Sequence, residues 1–226
     1  MTERSDQPGR ANERLIVLLV GAVGTGKGTQ AKALSRELGL PHLASGNLFR
    51  AAMAAGTPIG EEAQQYMQRG ELVPDEITIG MFMEELAKPH AARGAILDGF
   101  PRTVGQAEAL SRFASIDVAV DLDVPEEIVL ERISSRRVCS SCGRIYSTEQ
   151  PPTVDWTCDT CGGDVVQRGD DTPEAVAERL AAYATETKPT IDWYAAAGLL
   201  VRIDGLGSLD EVSERLVRAI DSRLGS

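Results

Sequence analysis

The apolar residues of this chain fall in short continuous runs, and longer stretches of helical periodicity separate the runs. Four runs stand out, at residues 15–20, 95–97, 118–120 and 199–201. None of them alternates with polar residues, and unbroken apolar runs of this length are typical of parallel strands that are buried on both faces. The runs therefore predict the strands of a parallel sheet.

Helical patterns fill much of the chain between those runs. The clearest lie at residues 27–38, 125–136, 173–194 and 208–224. Thr172 precedes Pro173, which is the pattern of an N-cap followed by proline at the first helical position. Ser208 and Glu211 have the spacing of a capping box. Because strands and helices alternate, we predict an α/β fold with helices on both faces of the sheet.

Two stretches interrupt this alternation and are interpreted as inserts in the α/β core. Residues 45–73 read as helical without a strand, and residues 135–171 hold the cysteines, a pair of prolines and several glycines. We expect a flexible tail followed by a single unit that consists of a core with two inserts. The expected bounds are 1–13 for the tail, 14–43, 74–134 and 172–226 for the core, 44–73 for the first insert and 135–171 for the second.

The net charge of the chain argues against nucleic acid as a partner. Its 226 residues carry a formal net charge of -11, and such an acidic surface repels nucleic-acid phosphates. Any phosphate site must therefore be local. No apolar run is long enough to span a bilayer, and the polar start of the chain lacks the apolar stretch of a signal peptide. We expect a cytoplasmic protein that binds neither nucleic acid nor membranes.

A glycine-rich loop follows the first apolar run. Residues 21–27 read G-A-V-G-T-G-K, which is the phosphate-loop pattern between a predicted strand and a predicted helix. Glycines let several backbone N–H groups face one anion, and Lys27 adds a full positive charge. The alternative reading is a glycine-rich turn with a surface lysine. The context favours a P-loop that binds a nucleotide.

An acidic residue ends the second apolar run. Asp98 closes that run and Arg102 follows shortly after it. Ligands of open α/β sheets bind at the carboxyl ends of the strands. There Asp98 would hold magnesium through water, and Arg102 would grip a phosphate with two hydrogen bonds. The alternative is an ordinary surface turn.

Four cysteines form two C-x₂-C pairs within the second insert. The pairs Cys139/Cys142 and Cys158/Cys161 have fifteen residues between them, which is the spacing of a four-cysteine zinc ribbon. Four thiolates complete the coordination, so this zinc should be structural and should fold the insert. Two disulfides or a redox pair are the alternatives.

Four segments resemble the adenylate kinase family, in its bacterial type with a zinc-binding lid. They read GKGTQ from Gly26, SGNLFR from Ser45, GELVPDE from Gly70 and DGFPR from Asp98. The resemblance runs from residue 15 to the end of the chain. It implies reversible, magnesium-dependent phosphoryl transfer from ATP to AMP that gives two ADP, and it implies a monomer. The first insert would bind the nucleoside monophosphate (NMP), and the second would form the lid.

The resemblance also implies a role for individual residues. The expected ATP-binding residues are Gly24, Thr25, Gly26, Lys27, Gly28, Thr29, Arg132, Ile145, Tyr146 and Gly207. The expected AMP-binding residues are Ser45, Arg50, Glu71, Val73, Gly99, Arg102, Gln106, Arg168 and Arg179. The expected catalytic residues are Lys27, Arg102, Arg136, Arg168 and Arg179. Arg132 would pack on the ATP adenine, and Gln106 would read the edge of the AMP adenine, since an amide can both donate and accept.

Four positions depart from familiar patterns. Gly28 stands where most P-loops carry a serine or threonine, and Ser45 stands where the family usually has threonine. Val23 replaces a proline of the family's loop, and Asn47 replaces an aspartate that orders water around magnesium. These departures leave the kinase interpretation in first place. A kinase for UMP, CMP or GMP is the near alternative, and a non-catalytic zinc-ribbon binding module is the remote one.

Overall fold

A five-stranded parallel sheet forms the centre of the protein. The computed structural model describes residues 14–225, so the tail expected at 1–13 lies outside the described residues. The strands are β1 (Leu15–Val20), β2 (His42–Ala44), β3 (Gly94–Asp98), β4 (Val118–Asp123), β5 (Arg136–Cys139), β6 (Ile145–Ser147), β7 (Val165–Val166) and β8 (Leu200–Asp204). The central sheet has the order β2-β3-β1-β4-β8 and all its neighbours are parallel. The predicted parallel sheet is confirmed. The sequence analysis missed β2, which is too short to form an apolar run.

Helices cover both faces of this sheet, as predicted. They are α1 (Lys27–Leu38), α2 (Ser45–Ala54), α3 (Pro58–Arg69), α4 (Asp75–Ala87), α5 (Val104–Phe113), α6 (Glu126–Ser135), α7 (Pro173–Ala182), α8 (Lys188–Ala196) and α9 (Leu209–Leu224). Ile16 and Leu18 of β1 point to the face covered by α4, α5 and α8. Val17 and Leu19 point to the face covered by α1 and α9. All four are essentially buried, which explains why β1 reads as an unbroken apolar run.

One predicted helix is divided in the structure. The pattern at 173–194 predicts a single helix, whereas the chain forms α7, a π-helical turn at Tyr183–Thr187 and then α8. Pro189 lies at the start of α8 and has no backbone N–H. Its ring would clash with the carbonyl four residues earlier in a continuous α-helix, so the turn before it widens. The predicted caps at Thr172 and Ser208 both form hydrogen bonds.

Two parts of the chain stand apart from the central sheet. Helices α2 and α3 pack against each other around Phe49 and Ala63. Strands β5, β6 and β7 form a separate antiparallel sheet in the order β6-β5-β7. Residues of both parts line one cleft with the carboxyl ends of β1 and β3. Within the described residues, no helix is both long and apolar enough to cross a membrane.

Candidate functional site

The glycine-rich loop lies between β1 and α1 and forms the floor of the cleft. Gly24 and Gly26 both have positive φ angles, +83° and +99°, which favour glycine. A Cβ on Gly24 would lie 2.9 Å from Cγ1 of Ile133, so close packing also requires glycine there. Val23 packs against Ile133 and Val129 of α6. That apolar contact supports the loop at the position where proline would stiffen it.

Lys27 is the cation at the centre of the cleft. Its ammonium group donates hydrogen bonds to the carbonyl oxygens of Gly21, at 2.8 Å, and Ala22. Burial lowers the pKa of Lys27 from 10.5 to about 8, because removing the group from water disfavours its charged form. The negative charge of Asp98 opposes this shift only in part. A buried ammonium whose hydrogen-bond partners are two carbonyls and, at 3.5 Å, the Thr25 hydroxyl has no anion bonded to it among the described residues, so it is suited to an anionic ligand.

Asp98 ends β3 opposite the loop. Its Oδ2 atom lies 3.2 Å from Nε2 of His42. Burial alone would raise the pKa of Asp98, but the hydrogen bond from His42 and the charge of Lys27 hold that pKa below its usual value. The carboxylate is therefore ionised and offers the hard oxygen that magnesium prefers. A Cβ on Gly28 would lie 3.3 Å from Oδ2, so glycine at this position keeps space free next to the carboxylate.

Three of the expected catalytic arginines are held by two neighbouring aspartates. Arg136 Nε donates to Asp171 at 2.8 Å, and Arg168 Nε donates to Asp170 at 2.8 Å. Arg179 reaches both acids, at 3.3 Å from Asp171 and 3.4 Å from Asp170. The side chain of Asp171 is fully buried. The pair therefore fixes the three guanidinium groups side by side at the cleft.

Arg50 and Arg102 face the other side of the same space. Arg50 Nη2 donates to Oδ1 of Asn47 at 2.8 Å, whereas its Nη1 is buried and has no hydrogen-bond partner. Burial, followed by the charge of Arg168, lowers the pKa of Arg50 to about 10. Arg102 Nε donates to the carbonyl of Gly99 at 2.9 Å. An unpaired buried guanidinium donor is costly, and an anionic ligand would satisfy it.

A small cavity under α3 brings together every residue expected to bind AMP. They are Ser45, Arg50, Glu71, Val73, Gly99, Arg102, Gln106, Arg168 and Arg179. Gln106 is buried, and its amide already has two partners: Nε2 donates to Asp75 at 2.7 Å and Oε1 accepts from the Arg102 N–H at 2.8 Å. One hydrogen and one lone pair of the amide remain, so Gln106 keeps the capacity to read a base edge.

A larger cavity above the loop brings together every residue expected to bind ATP. They are Gly24, Thr25, Gly26, Lys27, Gly28, Thr29, Arg132, Ile145, Tyr146 and Gly207. Arg132 Nη1 lies 3.3 Å from the Thr25 carbonyl and its Nη2 lies 3.3 Å from the Gly205 carbonyl. It therefore spans the cavity wall between the phosphate loop and the segment before α9.

The four cysteines converge at the end of the cleft. Their Sγ atoms all lie within 4.8 Å of one another, and the pairs Cys139–Cys161 and Cys142–Cys158 are 3.5 and 3.6 Å apart. Zinc–sulfur bonds of about 2.3 Å in a tetrahedron separate the sulfurs by about 3.8 Å. The cluster thus fits a four-thiolate zinc site. All four thiols are free of disulfide bonds, so the disulfide alternative finds no support.

Several residues of the cleft were missed from the sequence. Asp170 and Asp171 lie just before the N-cap Thr172 and close to Arg168 in the sequence. Two adjacent acids next to an expected catalytic arginine were a local signal from which their role could have been predicted. His42 was visible only as a polar residue beside an apolar pair. Lys32 of α1 donates to the Gly143 carbonyl at 3.0 Å across the cleft, and no local pattern marks that bond.

Comparison with known proteins identifies close relatives over nearly the whole chain. The sequence model of a family described as adenylate kinase matches residues 19–199. A protein named adenylate kinase from Thermodesulfovibrio yellowstonii is 45% identical over 213 residues, which cover 92% of this chain and 99% of the relative. Adenylate kinases from Clostridium perfringens SM101 and Streptomyces griseus are each 47% identical, over 91% and 90% of this chain and 98% and 96% of the relatives.

The buried aspartate that joins two arginines generates a stability prediction. Replacing Asp171→Asn should lower the free energy of unfolding by about 3 kcal/mol, because it leaves the buried charge of Arg136 without its anion and leaves Arg179 with Asp170 alone. Urea unfolding of the metal-loaded protein measures the effect. The control is Glu108→Gln, which breaks an exposed pair with Arg112 and should cost at most about 0.5 kcal/mol. Equal losses for the two variants would contradict the prediction.

Proposed function

The chain belongs to the adenylate kinase family, and we propose that its cleft holds ATP on the phosphate loop and AMP beneath α3. The enzyme transfers a phosphoryl group from ATP to AMP and produces ADP. The relatives named adenylate kinase match this chain over nearly its whole length, which establishes the reaction. The roles of individual residues are our proposal, and the geometry of the cleft supports them.

One observation carries the assignment of the two nucleotide sites. The larger and the smaller cavity share four arginines, which are Arg50, Arg102, Arg168 and Arg179. Two nucleotides bound in these cavities would direct their phosphates at the same cluster of positive charge. A kinase that transfers a phosphoryl group between two nucleotides needs this arrangement, because the charge of the transition state is spread over the equatorial oxygens.

The donor nucleotide would lie along the larger cavity. The backbone N–H groups from Gly24 to Thr29 would hold its phosphates, and Lys27 would contact the outer ones. Arg132, Ile145, Tyr146 and Gly207 would surround its base. Asp98 would hold magnesium through water, and the ion would offset charge on the outer phosphates.

The acceptor nucleotide would lie in the smaller cavity. Arg50 and Arg102 would clamp its phosphate, and the unpaired Nη1 of Arg50 supports this role. The Ser45 hydroxyl, the backbone of residues 71–73 and Gly99 would line the base pocket. Gln106 would select adenine with the hydrogen-bonding capacity that its amide retains.

The transfer itself needs positioning more than proton chemistry. An oxygen of the AMP phosphate would attack the γ-phosphorus of ATP in line, and the bond from that phosphorus to the bridging oxygen would break. The attacking oxygen is already anionic, so no general base is required. Arg136, Arg168 and Arg179 would stabilise the charge of the transition state, and the antiparallel sheet above them would exclude water.

We further propose that the four cysteines hold a structural zinc ion in a lid formed by residues 135–171. The lid's own apolar cluster contains only Cys139, Tyr146, Cys158 and Val165, which is too small to fold it without a metal. Residues 44–73 would close over AMP. The four unbridged thiols support a reducing compartment, so we expect the enzyme to act in the cytoplasm, and the family resemblance suggests a monomer.

A coupled assay of ADP formation tests the acceptor assignment. With ATP and magnesium, AMP should be phosphorylated at least tenfold more efficiently than GMP, UMP or CMP. Arg102→Met should lower kcat with AMP by about 10²- to 10³-fold, since it removes a charged clamp on the phosphate. Arg112→Met, on an exposed surface, serves as the matched control. A preference for another monophosphate would overturn the role of the smaller cavity.

The buried state of Lys27 predicts a pH dependence. Its ammonium is charged below its pKa of about 8 and becomes neutral above it, so kcat/KM for ATP should fall as the pH rises through about 8. Rates at saturating AMP between pH 6.5 and 9.5 measure this profile. In Lys27→Arg the guanidinium stays charged, so the variant should be slower but should lose the decline. A flat wild-type profile would exclude Lys27 as the titrating group.

The contact between α3 and α7 generates a prediction about AMP. A Cβ on Gly70 would lie 2.5 Å from the carbonyl oxygen of Ala175. Gly70→Ala should therefore push α3 away from α7 and keep residues 44–73 from closing over AMP. We expect the KM for AMP to rise at least tenfold. Gly56→Ala is the control, because both glycines have positive φ, +77° and +63°, but Gly56 has open space around it. An equal rise of the KM for AMP in the two variants would show that backbone strain alone causes it. A wild-type KM in Gly70→Ala would contradict the prediction.

A further inference from the structure

Tyr146 belongs both to the interior of the lid and to the wall of the cleft. It lies in β6, opposite Arg137 of β5, and it is 8% exposed. Its side chain packs with Cys139, Cys158 and Val165 in the lid's apolar cluster. It also lines the larger cavity, where we place the base of ATP. Tyr146 is therefore in contact with both the cysteine cluster and the larger cavity.

The hydroxyl of Tyr146 makes two hydrogen bonds, and their directions are determined. The backbone N–H of Asp159 lies 2.9 Å from the hydroxyl oxygen, and an N–H can only donate. The hydroxyl proton is then directed at the second partner, Sγ of Cys158, at 3.4 Å. Tyr146 is thus a hydrogen-bond donor to one of the four metal-binding sulfurs.

The environment holds the ring in this position. The guanidinium of Arg144 lies over the ring, 5.2 Å from its centre, and Arg144 also bonds to Thr160. The carboxylate of Asp159 accepts the Thr153 N–H at 2.8 Å and fixes the turn that supplies the Asp159 N–H. The Tyr146 hydroxyl is a neutral hydrogen-bond donor, so it can stabilise the Cys158 thiolate without adding a charge beside the metal.

We propose that Tyr146 is a positioning residue that couples the zinc site to the ATP site. Its hydroxyl stabilises the Cys158 thiolate, and the metal-anchored thiolate in turn holds the ring against the base of ATP. The proposal rests on the assignment of the larger cavity to ATP. It goes further in that it makes the zinc ion a determinant of ATP affinity through one named side chain.

Zinc release is the first test, and it needs no nucleotide. Tyr146→Phe keeps the ring and removes only the hydroxyl. Transfer of zinc from the loaded protein to excess pyridylazoresorcinol at pH 7.5 should be about 10- to 100-fold faster than in the wild type. Tyr66→Phe is the matched control, because this half-buried tyrosine of α3 packs against the cluster of Phe49, Ala63 and Val73 and not in the cysteine cluster, so its variant should release zinc at the wild-type rate.

Steady-state kinetics of the zinc-loaded variants are the second test. Tyr146→Phe should raise the KM for ATP several-fold while the KM for AMP and kcat stay within about twofold, because only the fixation of the ring is lost. Tyr146→Leu, which removes the ring as well, should raise the KM for ATP further. Circular dichroism and a zinc content of one per chain verify that each variant is folded and loaded before either measurement.

Each outcome decides a separate point. Zinc release at the wild-type rate from Tyr146→Phe would overturn the proposal. Faster release with an unchanged KM for ATP would overturn the coupling. If Tyr146→Phe folds but cannot be loaded with zinc where Tyr66→Phe can, the hydroxyl is required by the metal site, as proposed. A wild-type protein without kinase activity would refute the proposed function, and the zinc-release test would still decide the role of the hydroxyl.

Discussion

The burial of positive charge in the cleft is the constraint on which the rest of the structure depends. Lys27 and five arginines (Arg50, Arg102, Arg136, Arg168 and Arg179) line one cleft in a chain whose net charge is -11. Concentrated cations repel one another and resist leaving water, and the lowered pKa values of Lys27, Arg50 and Arg179 express that cost. Asp98, Asp170 and Asp171 offset part of it. In the proposed function, the phosphates of the substrates would neutralise the remainder.

The fold supplies a rigid frame for this charge. Strands β1 and β3 are parallel neighbours, so their carboxyl ends lie side by side. The loop that carries Lys27 and the carboxylate of Asp98 therefore face each other without any movement of the core. The other cations come from parts of the chain outside the sheet: Arg50 from α2, Arg136 from β5, and Arg179 from α7. In the proposed function, cations carried by separate elements would approach when substrate is bound and separate when product leaves.

The proposed metal site would compensate for the small apolar core of the β5–β7 sheet. The β5–β7 sheet buries too few apolar side chains to form a core, and four thiolates around one ion would replace that core. The four cysteines lie in the same insert as residues that line the larger cavity, which we propose holds ATP. Tyr146 belongs to both, because its hydroxyl donates to a cysteine sulfur and the residue lines the cleft.

Features that depend on neighbours along the chain were determined by the sequence itself. The phosphate loop, the spacing of the cysteines, the caps at Thr172 and Ser208 and the buried strand β1 each follow from local geometry, and they were sufficient to predict the α/β fold. Through the family resemblance, the sequence also predicted residues that line the two cavities.

Only the tertiary structure decided which of these groups touch. The bond from His42 to Asp98 spans 56 positions, the pair Arg136–Asp171 spans 35, and Lys32 meets Gly143 across 111. The short strand β2 likewise exists because it pairs with β3. Such contacts depend on where the sheet brings distant segments together, and that position is set by the burial of the whole core and not by any local pattern.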